Sequence, residues 1–185
     1  QLVAWNRTAT KAAALTECGG VVAETPDQAV HGADFIITML SDGAAVDAIL
    51  ASPELRAALR RGSLWIDMSS PQPTPARAQS ARLAELGIAH LEAPVSGGTK
   101  GAEAASLAIM VGGQEKAFSA ALPVLSVLGR PVHVGPSGSG QLAKLANQAI
   151  VAVTIGAVAE AMLLLDKGGA DPAAVRDALR GGFAD

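Results

Sequence analysis

The sequence has one cysteine, Cys18, and only 3% aromatic residues. A single thiol excludes a disulfide framework within the chain and fits a reducing compartment, so a cytoplasmic protein is expected. Few aromatics, a net charge of −3 and no basic stripe argue against nucleic acid as the main partner. No uninterrupted apolar stretch reaches the ~18 residues that a membrane span needs. The longest, over residues 149–159, ends at Glu160, and the first residues carry no signal-peptide pattern. No membrane partner is therefore expected. His31, His90 and His133 are scattered without metal-ligand spacing, so no metal is expected, and no Ser-His-acid or Cys-His pattern is readable. An initiator methionine is also missing. Gln1-Leu2-Val3-Ala4-Trp5 reads as a strand already under way, and the chain is expected to begin inside a fold.

What is there is a core-forming chain of 185 residues, half of them hydrophobic and 17% charged. That length gives one large domain, or one domain and part of another. Apolar strands over residues 2–5, 21–23, 35–40, 63–68 and 88–92 alternate with helices over 10–18, 26–31, 42–50, 53–59 and 76–86. Such alternation predicts β-α-β units and a parallel sheet. Ser41 is expected to cap the helix that follows it. Pro71, Pro73 and Pro75 are expected to hold a stiff extended loop, and residues 94–101 a glycine-rich one. Further on, strands at 107–111 and 131–134 flank a helix over 114–128. From residue 137 the pattern becomes purely helical, which places a domain boundary between 1–136 and 137–185.

A long helix opens at Gly138 and runs to Leu165, with Ser137 or Ser139 as its cap and Gly168-Gly169 after it. Its first turns carry Gln141, Lys144, Asn147 and Gln148, three and four residues apart and so on one face. Polar groups sharing a face of an otherwise apolar helix point to a wet cleft; the same spacing fits a solvated first turn before the helix enters a core. Lys144 is the candidate for chemistry. A helix N-terminus and partial desolvation both disfavour its cation, and such a lysine exchanges a proton with an alcohol or carbonyl oxygen.

Other candidates lie at strand ends, where doubly wound sheets bind ligands. Asn6-Arg7-Thr8 follows the first visible strand. An Arg there supports a 2′-phosphate on an adenosine ribose, which favours NADP over NAD; taken alone, the three residues fit an ordinary polar strand-to-helix turn better. Met39-Leu40-Ser41 and Ser69-Ser70 are placed to line a cofactor groove or simply to cap and turn the chain. Ser96-Gly97-Gly98 exposes N–H groups suited to a carboxylate, or forms a flexible loop. Glu92 is either an acid behind the site or the edge of a strand. The phosphate loop Gly-x-Gly-x-x-Gly is absent; its place, ~20 residues before the ribose reader, falls before Gln1.

Taken together, Ala93-Pro94-Val95-Ser96-Gly97-Gly98, Met110-Val111-Gly112-Gly113, and Gly138-Ser139-Gly140 leading into Lys144-Leu145-Ala146-Asn147 resemble the β-hydroxyacid dehydrogenase family. That family includes 3-hydroxyisobutyrate dehydrogenase, tartronate semialdehyde reductase and 6-phosphogluconate dehydrogenase. The resemblance covers nearly the whole chain. It implies a Rossmann-type doubly wound parallel sheet, with first strand and glycine-rich loop missing, followed by a long helix opening an all-α domain that dimerises. It makes Lys144 the general acid/base, with Asn147 orienting it and the substrate. It implies substrate binding by Ser96, Gly97, Gly98 and Gln148. Cofactor contacts fall to Asn6, Arg7, Thr8, Met39, Leu40, Ser41 and Ser70, with NADP expected and NAD possible. The substrate implied is a small 3-hydroxy acid or semialdehyde, foremost 2-hydroxy-3-oxopropionate. Alternatives are a 3-hydroxyisobutyrate dehydrogenase, an imine reductase of the same architecture, or a non-catalytic nucleotide-binding module. Glu92 departs from the Asp usual in the family.

Overall fold

The computed structural model describes residues 1–184. Along the chain they form β1 (Val3–Ala4), α1 (Ala9–Ala13) continued by a 3-10 turn over Ala14–Cys18, β2 (Val21–Val22), α2 (Pro26–Val30), β3 (Phe35–Thr38), α3 (Gly43–Ala51), α4 (Pro53–Ala58), β4 (Leu64–Asp67) and α5 (Pro73–Glu85). Then come β5 (Ala89–Glu92), β6 (Val95–Ser96), α6 (Gly98–Glu103), β7 (Leu107–Gly113), α7 (Glu115–Leu125), β8 (Gly129–Gly135), α8 (Ser139–Gly168) and α9 (Pro172–Leu179). Two compact units result, Gln1–Lys144 and Leu145–Asp185.

In the first unit, β3, β4 and β5 run parallel with helices between them, as the alternation predicted. The rest of the sheet departs from it. β7 is antiparallel to β5 and to β6, while β8 returns parallel to β7. β5 and β6 run on in one register along β7, Leu91 opposite Gly113 through Ser96 opposite Ala108, and the short α6 after β6 brings β7 back antiparallel. β1 and β2 pair in parallel as a separate two-stranded sheet. In the doubly wound strand order the positions of β1 and β3 are not neighbours, which accounts for their not being hydrogen-bonded to each other.

β4 is buried at every residue and feeds both faces. Leu64, Ile66 and Met68 join Leu91, Ile109, Val111 and Leu125 in one cluster. Trp65 points the other way, into Val46, Leu50, Leu83 and Ile88. A strand covered on both sides reads as a continuous apolar run, as this one does.

Three local expectations change. Asp42, not Ser41, caps α3, accepting from the Ala45 amide at 2.8 Å. Pro73 and Pro75 lie in the first turn of α5, where a missing N–H costs nothing, so only Pro71 stays in the loop. The stretch expected as a glycine-rich loop is ordered as β6 and α6.

The second unit holds the remainder of α8 and all of α9, which Asp171 caps through the Ala173 amide at 2.9 Å. Its apolar residues are mostly exposed. By length and composition alone, α8 is long and apolar enough to cross a membrane once the interrupting Glu160 is tolerated.

Candidate active site

The carboxyl ends of three parallel strands present polar residues in one register row. Thr38 pairs with Asp67, and Asp67 with Glu92. All three are buried. Buried polar groups need partners, and this row is wired accordingly. Asp67 Oδ1 accepts from the Thr38 hydroxyl at 2.8 Å and from the Ser69 amide at 3.0 Å. The Trp65 indole donates to Thr38 Oγ1 at 3.1 Å. Ser69 Oγ in turn accepts from the Leu40 amide at 2.9 Å, joining the turn after β3 to the turn after β4.

The start of α8 lies against this row. Glu92 Oε1 accepts from the Gly138 amide, and the nearby Gly140 amide also favours the ionised carboxyl. Burial pushes the Glu92 carboxyl up from its usual range, opposed by those two amides and by the Arg77 guanidinium. Gln141, also buried, donates from Nε2 to the Ser69 carbonyl at 3.1 Å. One turn later the half-buried Lys144 donates from Nζ to the Val95 carbonyl at 2.8 Å. Val95 opens β6, and Ser96-Gly97-Gly98 follow directly. Gly97 has φ +136°, a conformation that L side chains rarely adopt, so a glycine is needed to turn from β6 into α6. The lysine amine is therefore tied to the residue that leads into this turn.

Residues 1–165 match the family model of the NAD binding domain of 6-phosphogluconate dehydrogenase. The chain belongs to this family. It is 43% identical over 173 residues to the 2-hydroxy-3-oxopropionate reductase of Escherichia coli, covering 92% of this chain and 59% of the reductase. It is 41% identical over 152 residues to the NAD-dependent L-serine dehydrogenase of Pseudomonas aeruginosa, covering 81% of this chain and 51% of that enzyme. Among solved structures, 3-hydroxyisobutyrate dehydrogenase of Mycobacterium tuberculosis with L-serine superimposes with a TM-score of 0.90 at 37% identity. That match covers 98% of this chain and 62% of the solved one. The chain spans about half to three-fifths of the length of these relatives.

Within this 6-phosphogluconate dehydrogenase-type domain, the sequence-predicted residues fall into separate groups. Leu40 is tied to Ser69 as described; Met39, Ser41 and Ser70 are exposed beside them. Lys144 reaches Val95, beside the half-buried Ser96 and the exposed Gly97 and Gly98. Asn6, Arg7 and Thr8 are exposed at the end of β1, with Asn6 Oδ1 accepting from the Thr8 amide at 2.9 Å. Arg7 makes no ion pair with the described residues. Asn147 and Gln148 belong to the second unit, where Asn147 Nδ2 donates to Gln148 Oε1 at 3.1 Å.

The sequence did not single out Asp67, Thr38 or Arg77. An acid inside the run Leu64-Trp65-Ile66-Asp67-Met68 was the available signal, because a carboxylate in a buried strand must be held by something. The expected serine cap of α8 is replaced by Glu92; Ser137 Oγ is buried with no hydrogen-bond partner among the described residues. A cavity of about 240 Å³ is lined by His90, Gly113, Ala117 and Ser137 among others, and none of the predicted site residues lines it. His90 is pushed down to about 4 by burial there, which suits a structural residue.

Proposed function

We propose that the chain is the cofactor-binding part of an oxidoreductase that moves a hydride between NADP(H) and a small 3-hydroxy acid or its semialdehyde. The foremost substrate is 2-hydroxy-3-oxopropionate. One observation carries the reading, the 2.8 Å bond from Lys144 Nζ to the carbonyl of Val95, the residue just before Ser96-Gly97-Gly98. The relative with 43% identity is named for that substrate, which adds support.

The residues suit a dinucleotide. The turns after β3 and β4 leave Met39, Ser41 and Ser70 open at a strand edge, and Arg7 keeps its guanidinium unpaired for a 2′-phosphate. When bound, the nicotinamide ring supplies or accepts the hydride. Lys144 then has the acid/base role: in reduction its ammonium gives a proton to the oxygen of the reacting carbonyl, and in oxidation its amine takes that proton back. The N–H groups around Gly97 and Gly98 are the proposed seat of the substrate carboxylate. For Asn147 as orienting carboxamide and Gln148 as a substrate contact, the support is the pattern Lys144-Leu145-Ala146-Asn147-Gln148 alone. We assign residues 1–136 to the NADP domain and 137–185 to the opening of a helical domain through which the cytoplasmic protein forms homo-oligomers.

The test is turnover of the full-length protein on small hydroxy acids with NADP and NAD in parallel. Lys144→Ala is expected to bind NADPH normally and to lose about 10²–10⁴-fold in kcat. Turnover retained in that variant refutes the role of the lysine, and faster turnover with NAD than with NADP refutes the role of Arg7.

A further inference from the structure

The beginning of α8 is not held in the usual way. The first amides of a helix have no partner within it, and a serine or threonine side chain normally serves them. Here a glutamate from a different element does so. Glu92 reaches from the end of β5 and accepts from the Gly138 amide, with the Gly140 amide close by. The side chain is fully buried and its Oε2 has no hydrogen-bond partner among the described residues, so the bond at Oε1 is what offsets the cost of burying the carboxyl.

The walls around this carboxyl lack side chains on both sides. A Cβ on Gly140 would lie 2.8 Å from Glu92 Cγ and 2.7 Å from the Met110 carbonyl oxygen. A Cβ on Gly112 would overlap Glu92 Oε1 and approach the Gly140 nitrogen to 2.6 Å. The two glycines therefore allow β7 and the start of α8 to approach Glu92 and each other closely. Arg77 stands over the same turn, its Nε donating to the Ser137 carbonyl at 3.3 Å, and Asp67 is the other charged neighbour.

The segments joined by this contact are joined again one turn on. Val95 lies three residues after Glu92 and receives the Lys144 amine, four residues after Gly140. Two contacts between the same two segments fix both the depth and the rotation of the helix start.

We propose that Glu92 is a positioning residue: by holding the Gly138 amide it sets where α8 begins and hence where the Lys144 amine falls. The catalytic part of this inference rests on the function proposed above; the anchoring part does not. A shift of about 1 Å in a reacting group costs on the order of 100-fold in rate, so the leverage on turnover is large.

The experiment compares Glu92→Leu, Glu92→Gln and wild type in the full-length protein. It reads amide hydrogen exchange at Gly138 together with kcat and KM. Glu92→Leu removes the acceptor. Exchange at the Gly138 amide should accelerate at least about tenfold, as for loss of one hydrogen bond. kcat should fall about 100-fold while KM for NADPH stays within about threefold. Glu92→Gln keeps an acceptor oxygen of the same reach and should restore most of the protection and of kcat. Unchanged exchange in Glu92→Leu overturns the anchor. Faster exchange with unchanged kcat overturns the link to Lys144. If the leucine variant does not fold, Glu92→Asp replaces it: one methylene shorter, it should lose protection at the Gly138 amide, and protection equal to wild type there overturns the proposal. A wild-type protein that turns over no hydroxy acid sinks the functional reading, and the exchange data then judge the anchor alone.

Discussion

Trp65 and Ile66 are wholly buried, whereas Ile150, Val153 and Leu164 stand 67%, 71% and 72% exposed. The first pair sits on β4 of the unit Gln1–Lys144, the others on α8 within Leu145–Asp185. The two stretches draw on the same residue types. They differ in what the chain folds against them. β4 has a strand on each edge and an apolar cluster on each face, so every side chain along it finds a partner. The apolar residues of α8 point around the whole helix with no polar stripe, and in this unit they meet little but each other. Hydrophobic content thus marks a residue for burial, but the layer that buries it must be supplied by the architecture.

The contrast is open to measurement. Trp65→Ala should cost the most, about 3–5 kcal/mol by chemical denaturation of the 185-residue chain, since it empties a packed site and frees the Thr38 hydroxyl of a donor. A cost under about 1 kcal/mol would mean that the β4 core is not packed as described.

Acid should probe the same unit at His90. Its folded-state pKa, about 4, lies below the ordinary histidine value of 6.5, so the unfolded chain binds the proton more readily. Stability contributed by keeping this ring neutral is complete above pH ~6.5, is lost as pH falls toward ~4, and amounts to at most about 3 kcal/mol. Glu92 works in the opposite sense, because its raised carboxyl is protonated more readily in the folded state. The difference between wild type and His90→Gln isolates the histidine: the variant should show a flatter fall in denaturation midpoint between pH 7 and pH 4. Parallel curves would contradict the buried, neutral ring.

The smallest effect belongs to the other unit. Ile150→Ser in this chain should change stability by no more than about 0.5 kcal/mol, as for surface positions generally. A loss comparable to that of Trp65→Ala would erase the distinction between the units.

Much of the architecture was legible in periodicity. β3, β4 and β5 stood out as apolar runs, and their intervening helices fixed the parallel sheet. The lysine and the Ser96-Gly97-Gly98 turn were also readable, and the lysine is tied to the residue that leads into that turn. What escaped was long-range polar pairing. Glu92 and Gly138 are 46 residues apart, and Gln141 and Ser69 are 72 apart. Local capping rules favour a nearby serine and have no means of choosing a glutamate on another strand. The antiparallel placing of β6 and β7 was missed for a similar reason, since strand direction is set by the connection available and not by the strand's own residues.

The bond between Lys144 and Val95 has a directional consequence. An ammonium group carries three N–H vectors arranged as a tripod. With one leg committed to a main-chain carbonyl, free spinning about the terminal C–N axis stops, and the other two legs aim at fixed bearings. Arginine in the same place would spread five hydrogens over a flat fork and aim at neither bearing, so a like-charged replacement preserves the charge without its aim.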